Sequence, residues 1–136
     1  MNSSNIKITK RDGSCEAIDL DKIHKVITWA AAGLDQVSVS EVALKAHLHF
    51  TDGITTSDIH ETVIKSAADL ITEWTPDYQY LAARLNIFHL RKKAYGRYEP
   101  PALAEHVAKM VDARLYDASL ASDFTAEEFD QMDAFI

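Results

Sequence analysis

Lys10, Arg11 and Lys22 fall within one short stretch that also carries Asp12, Glu16, Asp19 and Asp21. The group reads in two ways. Its cations are either solvated surface charges balanced by their neighbours, or part of an anion site in which they gather around phosphates while a carboxylate addresses a base or a sugar. Arg91-Lys92-Lys93 adds a second cationic run, placed where cations favour the carboxyl end of a helix. Thr55, Thr56 and Ser57 supply hydroxyls at an expected helix start, where they serve as caps or leave free amides for phosphate oxygens.

Bond-making chemistry is not legible. The chain has no G-x-x-x-x-G-K-[ST] loop, no paired cysteines and no plausible Ser/His/Asp arrangement. His60-Glu61 lacks the second histidine of a zinc-protease motif, since position 64 is Ile64. The single cysteine, Cys15, rules out an internal disulfide and a multi-cysteine zinc site, and reads as a small residue filling a strand position. His47 and His49 would share one face of a short strand, but no carboxylate or thiol stands at a supporting spacing.

The elements that position these residues follow from periodicity. Ile6 and Ile8 alternate with Lys7 and Thr9 as in a half-buried strand, and Asp12-Gly13 marks a tight hairpin turn. Continuing the alternation puts Lys10 on the face of Ile8. A first helix is expected over 20–33, capped by Asp19 or Asp21, with Ile23, Val26, Ile27, Ala30 and Leu34 as its buried stripe. Lys22 then lies in its first turn. Trp29 lies off that stripe and reads first as packing, with a nucleotide platform as the alternative.

Ser38-Val39-Ser40-Glu41 has capping-box spacing and opens a second helix to about His47, followed by a short strand over 47–51. A third helix should run to about Thr72 with Ile59, Val63, Ala67, Leu70 and Ile71 inward, and a fourth from Pro76 to about Gly96. On the fourth, Tyr78, Leu81, Leu85 and Phe88 form one stripe that ends in Lys92. A lysine there must snorkel to water or meet an anion. Glu99-Pro100-Pro101 stops the helix, and further helices are expected around Leu103, Val107, Met110 and Val111 and after the second capping box at Thr125-Glu128.

A chain of 136 residues with 47% hydrophobic content suits one compact domain with an appendage. The net charge of −7 resides entirely in residues 99–136, which hold two Lys+Arg against nine Asp+Glu. A neutral body can hold a basic pocket for a small anion, but so acidic a chain is poorly suited to nonspecific nucleic-acid binding. No apolar run has the length of a membrane span and the first residues lack the pattern of a signal peptide, so the expectation is a cytoplasmic protein with neither membrane nor nucleic acid as partner.

Ile8, Lys10-Arg11-Asp12-Gly13, Glu16 and Leu20-Asp21-Lys22-Ile23 resemble the opening of the ATP-cone domain. Gly53–His60, Pro76–Arg84 and Phe88–Gly96 are similar, in order, to the cone at the amino end of the large subunit of class Ia ribonucleotide reductases. The resemblance implies an α+β, mostly helical fold: a four-helix bundle capped by a small β-sheet containing the hairpin, with additional helices after it. It implies an ATP-cone regulatory domain over 1–98 and an acidic helical connector over 99–136, leading toward an absent catalytic domain.

The implied function is allosteric sensing, not catalysis. By that resemblance, ATP would activate and dATP inhibit a ribonucleoside-diphosphate reductase, and the cone would touch the small (beta) subunit and other alpha subunits. The expected effector is ATP or dATP, with or without Mg2+. Nucleotide-contacting positions implied by the resemblance are Ile8, Lys10, Arg11, Glu16, Asp19, Lys22, Ile23, Thr56, His60, Phe88, His89 and Lys92, with Asp58 coupling the phosphate site to His60 and His89. Glu16 or Asp19 could accept the adenine amino group, although the family pattern often has Asn where Asp19 stands. The alternative is a helical protein-interaction domain with no nucleotide site. A transcription repressor of the same family would need a ribbon of four cysteines, which the chain lacks.

Overall fold

The structure is a computed structural model that describes residues 6–136, arranged as two units that divide after Ala94. The expected strand pairing at Ile6 falls at the edge of the described residues.

In the first unit, β1 (Lys7–Thr9) and β2 (Cys15–Ala17) form an antiparallel hairpin with Ile8 opposite Glu16. Gly13, at φ +83°, makes the turn, and its N–H donates to the Lys10 carbonyl at 3.0 Å. Helices α1 (Leu20–Ala30), α2 (Val39–His47), α3 (Thr56–Ala68) and α4 (Tyr78–Tyr95) follow. Ile27, Ala30, Val42, Ala46, Ala67 and Leu81 are fully buried, and Ile8, Ile59, Val63, Tyr78 and Leu85 complete the core around them. The hairpin is anchored to this bundle by the inward side chain of Ile8.

Caps fix where helices begin. Asp19 accepts from the Lys22 N–H at α1, Ser38 from the Glu41 N–H at α2, and Thr55 from the Asp58 N–H at α3. At α2 the expected reciprocal bond is replaced by a tertiary one. The Tyr78 hydroxyl accepts the Ser38 N–H at 2.9 Å and donates to the Glu41 carboxylate at 3.2 Å, which joins the starts of α2 and α4.

Four expectations are corrected. The first helix ends at Ala30, because the chain turns over Ala31–Gly33 with Gly33 at φ +74°. Residues 47–51 form no strand: the Leu48, His49 and Phe50 amides bond back to Leu44, Ala46 and His47, so the helix unwinds through a turn that buries Phe50. The third helix ends at Ala68, leaving Ile71 exposed. Trp29 is not packed; it is 59% exposed.

The second unit contains α5 (Leu103–Asp112), a short α6 (Ser119–Ser122) that the sequence reading did not anticipate, and α7 (Ala126–Phe135). The Thr125–Glu128 capping box is fully formed, and the Leu103 N–H donates to the Asp133 carboxylate at 2.9 Å. Val107 and Phe129 are its buried apolar residues. Arg97 pairs with Glu105 at 3.2 Å, and His106 lies edge-on between the rings of Tyr95 and Tyr116. No helix among the described residues is long and apolar enough to cross a membrane.

Candidate functional site

A hairpin, one loop and two helix ends converge at one end of the first unit. The Lys7 N–H donates to the Asp52 carboxylate at 2.8 Å, the Gly53 N–H to the Lys7 carbonyl at 2.8 Å, and the Thr9 N–H to the Ile54 carbonyl at 2.9 Å. Thr9 Oγ1 also donates to the Gly53 carbonyl at 3.2 Å, and Thr9 and Thr55 form an isolated parallel bridge. The segment that opens α3 is thereby stitched along β1. Gly53 turns at φ +83°, a conformation that other L-residues rarely adopt. Thr56, the first residue of α3, is half-buried beside this seam. The Asp58 carboxylate accepts from the Thr55 hydroxyl at 2.7 Å, which ties Asp58 to the helix cap.

Across from the seam, Arg11 Nη1 donates to the Lys92 carbonyl at 2.6 Å, holding the hairpin turn against the last turn of α4. His60, one turn into α3, faces His89 on α4, with ring centroids 5.3 Å apart and planes inclined by 32°. His89 is 7% exposed, its Nε2 lies 4.0 Å from the Glu61 carboxylate, and its buried Nδ1 has no hydrogen-bond partner.

Burial, followed by the charges of His89, Arg11 and Lys92, pushes the His60 imidazole down from 6.5 to about 4. Proton binding is therefore suppressed where cationic groups crowd together. An anion brought into this cluster would act in the opposite sense.

The remaining candidates form pairs of their own. Lys10 Nζ lies 2.6 Å from the Glu16 carboxylate, on the face of the hairpin that carries Ile8, and the Glu16 hydrogen bond and charge raise the Lys10 pKa. Lys22 Nζ lies 3.6 Å from Asp19, whose carboxyl is held below its ordinary value chiefly by the backbone N–H of Lys22. Ile8 belongs to the core, and Ile23 and Phe88 are partly buried against it. Arg11, His60, His89 and Lys92 are thus brought into one cluster, while the Lys10–Glu16 and Lys22–Asp19 pairs line the hairpin and the start of α1.

Sequence reasoning missed Glu61, which stands beside His60 in the chain but reaches His89 on another helix, and the Asp52–Gly53 stitch to β1. Among the described residues, no group of three or more His, Cys, Asp or Glu side chains is arranged to hold a metal ion.

A family model described as the ATP cone domain matches residues 6–93. Ribonucleoside-diphosphate reductase 1 subunit alpha of Escherichia coli (strain K12) is 65% identical over 134 residues, covering 98% of this chain and 18% of that protein. The subunit alpha of Haemophilus influenzae is 64% identical over 136 residues, covering 100% of this chain and 18% of its own length. That of Enterobacteria phage T4 is 43% identical over 123 residues, covering 90% of this chain. The chain thus spans 18% of the length of the two bacterial relatives.

Proposed function

The chain belongs to the ATP-cone family of allosteric nucleotide-binding regulatory domains, and from that premise we propose that it senses adenine nucleotides for a ribonucleoside-diphosphate reductase alpha subunit, with ATP as activator and dATP as inhibitor. The observation that carries this reading is the convergence of Arg11 and Lys92 on the His60–His89 pair. The fit to a triphosphate is chemical. Two cations and a helix start at Thr56 are donors that a polyanion would satisfy.

In this proposal Arg11, Lys92 and the Thr56 end of α3 bind phosphate oxygens, with Lys10 and Lys22 contributing charge from the hairpin and from α1. Each charged hydrogen bond contributes roughly 1.5–3 kcal/mol before entropy is subtracted. Several suffice for micromolar binding, which needs about −8 kcal/mol. Glu16 or Asp19 accepts the adenine amino group, whereas guanine would present a carbonyl oxygen to the same carboxylate and be repelled. Ile8, Ile23 and Phe88 give the base and sugar their apolar surroundings. Asp58 acts through Thr55, linking the phosphate end to the cap of α3.

ATP and dATP differ by one hydroxyl, so the switch is a coupling difference, typically about 1–3 kcal/mol. Its recipients are the small (beta) subunit and other alpha subunits. Residues 1–98 form the regulatory domain, and residues 99–136 form an acidic helical connector toward the catalytic part of the parent protein, which carries the reductase chemistry. The parent is cytoplasmic, binds neither membrane nor nucleic acid, and Mg2+ accompanies the nucleotide to the extent that its phosphates carry it.

Calorimetric titration with ATP, dATP and GTP tests the reading: both adenine nucleotides should bind in the micromolar range and GTP should not. Lys10→Ala combined with Lys92→Ala should abolish thermal stabilisation by ATP without loss of fold. A helical protein-interaction domain lacking a nucleotide site would show no heat and no stabilisation in the unsubstituted chain, and that result overturns the proposal.

A further inference from the structure

A helix on the surface of a small protein ordinarily turns a polar side to water. α4 departs from this pattern. Tyr78, Leu81, Ala82, Leu85 and His89 are buried on its inner side. At 3.6 residues per turn the opposite side carries Tyr80, Ala83, Ile87, Leu90 and Ala94, all exposed and none charged. Tyr80 is 54% exposed, Ile87 44% and Leu90 53%, so the side chains form one continuous apolar stripe instead of a scatter of single residues. It runs about 21 Å along the helix.

The stripe is complementary to itself when reversed. In an antiparallel pair with its two-fold axis at the level of Leu85, Tyr80 meets the second copy's Leu90 and Ala83 meets the second copy's Ile87. Each small side chain then faces a large one. Charge agrees with the same pairing. The Asp77 carbonyl accepts the Leu81 N–H at 3.2 Å, so Asp77 continues the helical phase at the amino end of the stripe. Arg91 stands toward the carboxyl end, and both residues are half-buried beside the stripe on the same flank. Like flanks meet in an antiparallel pair, which brings Asp77 of each copy toward Arg91 of the other, with the helix dipoles opposed. A face that is acidic at one end and basic at the other suits a reversed copy of itself. One helix pair covers less than the roughly 800 Å² per partner of a standard stable complex, which makes the association weak.

We propose that the outer face of α4 is an interface between two copies of this chain, paired antiparallel through Tyr80, Ala83, Ile87 and Leu90 and bracketed by two Asp77–Arg91 contacts. The result is a monomer–dimer equilibrium with a Kd on the order of 100 µM. None of these residues belongs to the candidate nucleotide site, so the interface stands apart from that reading.

Sedimentation equilibrium of the full 136-residue chain without nucleotide, from about 10 µM to about 1 mM, tests the interface. The mean mass should climb from monomer toward dimer. Ile87→Glu puts like charges at the centre of the pair and, at an exposed position, leaves the core untouched; it should hold the chain monomeric throughout. Leu90→Glu should do the same and decides the point if Ile87→Glu unfolds, which circular dichroism reads separately. Asp77→Arg and Arg91→Asp should each raise the Kd about fivefold, and the two together should restore it. A chain that stays monomeric at the highest concentration overturns the proposal and leaves the face to another protein segment. A dimer that survives both glutamate variants lies elsewhere on the surface, which overturns it equally. A dimer lost in those variants but indifferent to both charge reversals refutes the antiparallel arrangement.

Discussion

His60 makes the fold acid-sensitive in a window set by its own surroundings. An unfolded His60 takes a proton near pH 6.5, while the folded imidazole resists until about pH 4. Between those values the unfolded chain holds more protons. The stability contributed by neutral His60 is therefore complete above about pH 6.5 and drains as the pH falls toward 4. Linkage with these two pKa values gives a loss of about 1.8 kcal/mol between pH 7 and pH 5. Partial exposure of the ring screens the effect and reduces the expected loss to about 1 kcal/mol.

Urea unfolding of the chain and of His60→Gln at pH 7, 6 and 5 isolates this contribution, because carboxylates and the other histidines titrate in both proteins. The difference in stability between the two should close by about 1 kcal/mol over that range. Imidazole resonances should show His60 still neutral at pH 5. Parallel unfolding curves at every pH, or a His60 that titrates near 6.5, would refute the placement of that ring among buried and cationic neighbours.

Other perturbations separate core, seam and strain. Leu81→Ala empties a fully buried position and should cost about 2–5 kcal/mol by urea unfolding. Tyr78→Phe removes the acceptor for the Ser38 N–H and the donor to Glu41, so a loss of about 1–3 kcal/mol is expected, with faster exchange of the Ser38 amide. Gly53→Ala meets no atom within 4 Å but must hold a left-handed backbone, so thermal unfolding should report about 1–2 kcal/mol of pure strain.

The sequence discloses those parts of the fold that arise within a few residues of each other. The hairpin turn at Asp12-Gly13 and the caps at Asp19, Ser38 and Thr125 are local hydrogen-bond chemistry, readable from spacing. Segment ends are less legible where tertiary packing decides. Residues 47–51 carry alternating side chains, yet the backbone keeps bonding to the preceding helical turn. Trp29 lies one step off the stripe of Ile23, Ile27 and Ala30, and among the described residues nothing covers it enough to hide it. In the candidate site, cation types and helix starts were readable, and the resemblance grouped them. That Lys10 spends its charge on Glu16 while Arg11 spends a donor on a distant carbonyl depends on where side chains meet, which no spacing encodes.

The seam between β1 and residues 52–55 bears on how the molecule comes into being. Its bonds close a loop of 45 positions through Lys7 and Asp52, so it gains its ends only after α1 and α2, which the loop contains, have been made. Long loop closure is slower than helix formation. During synthesis, helical segments should therefore precede this seam, and the Lys7 and Thr9 amides of a nascent chain should gain protection only once residues 52–55 have left the ribosome.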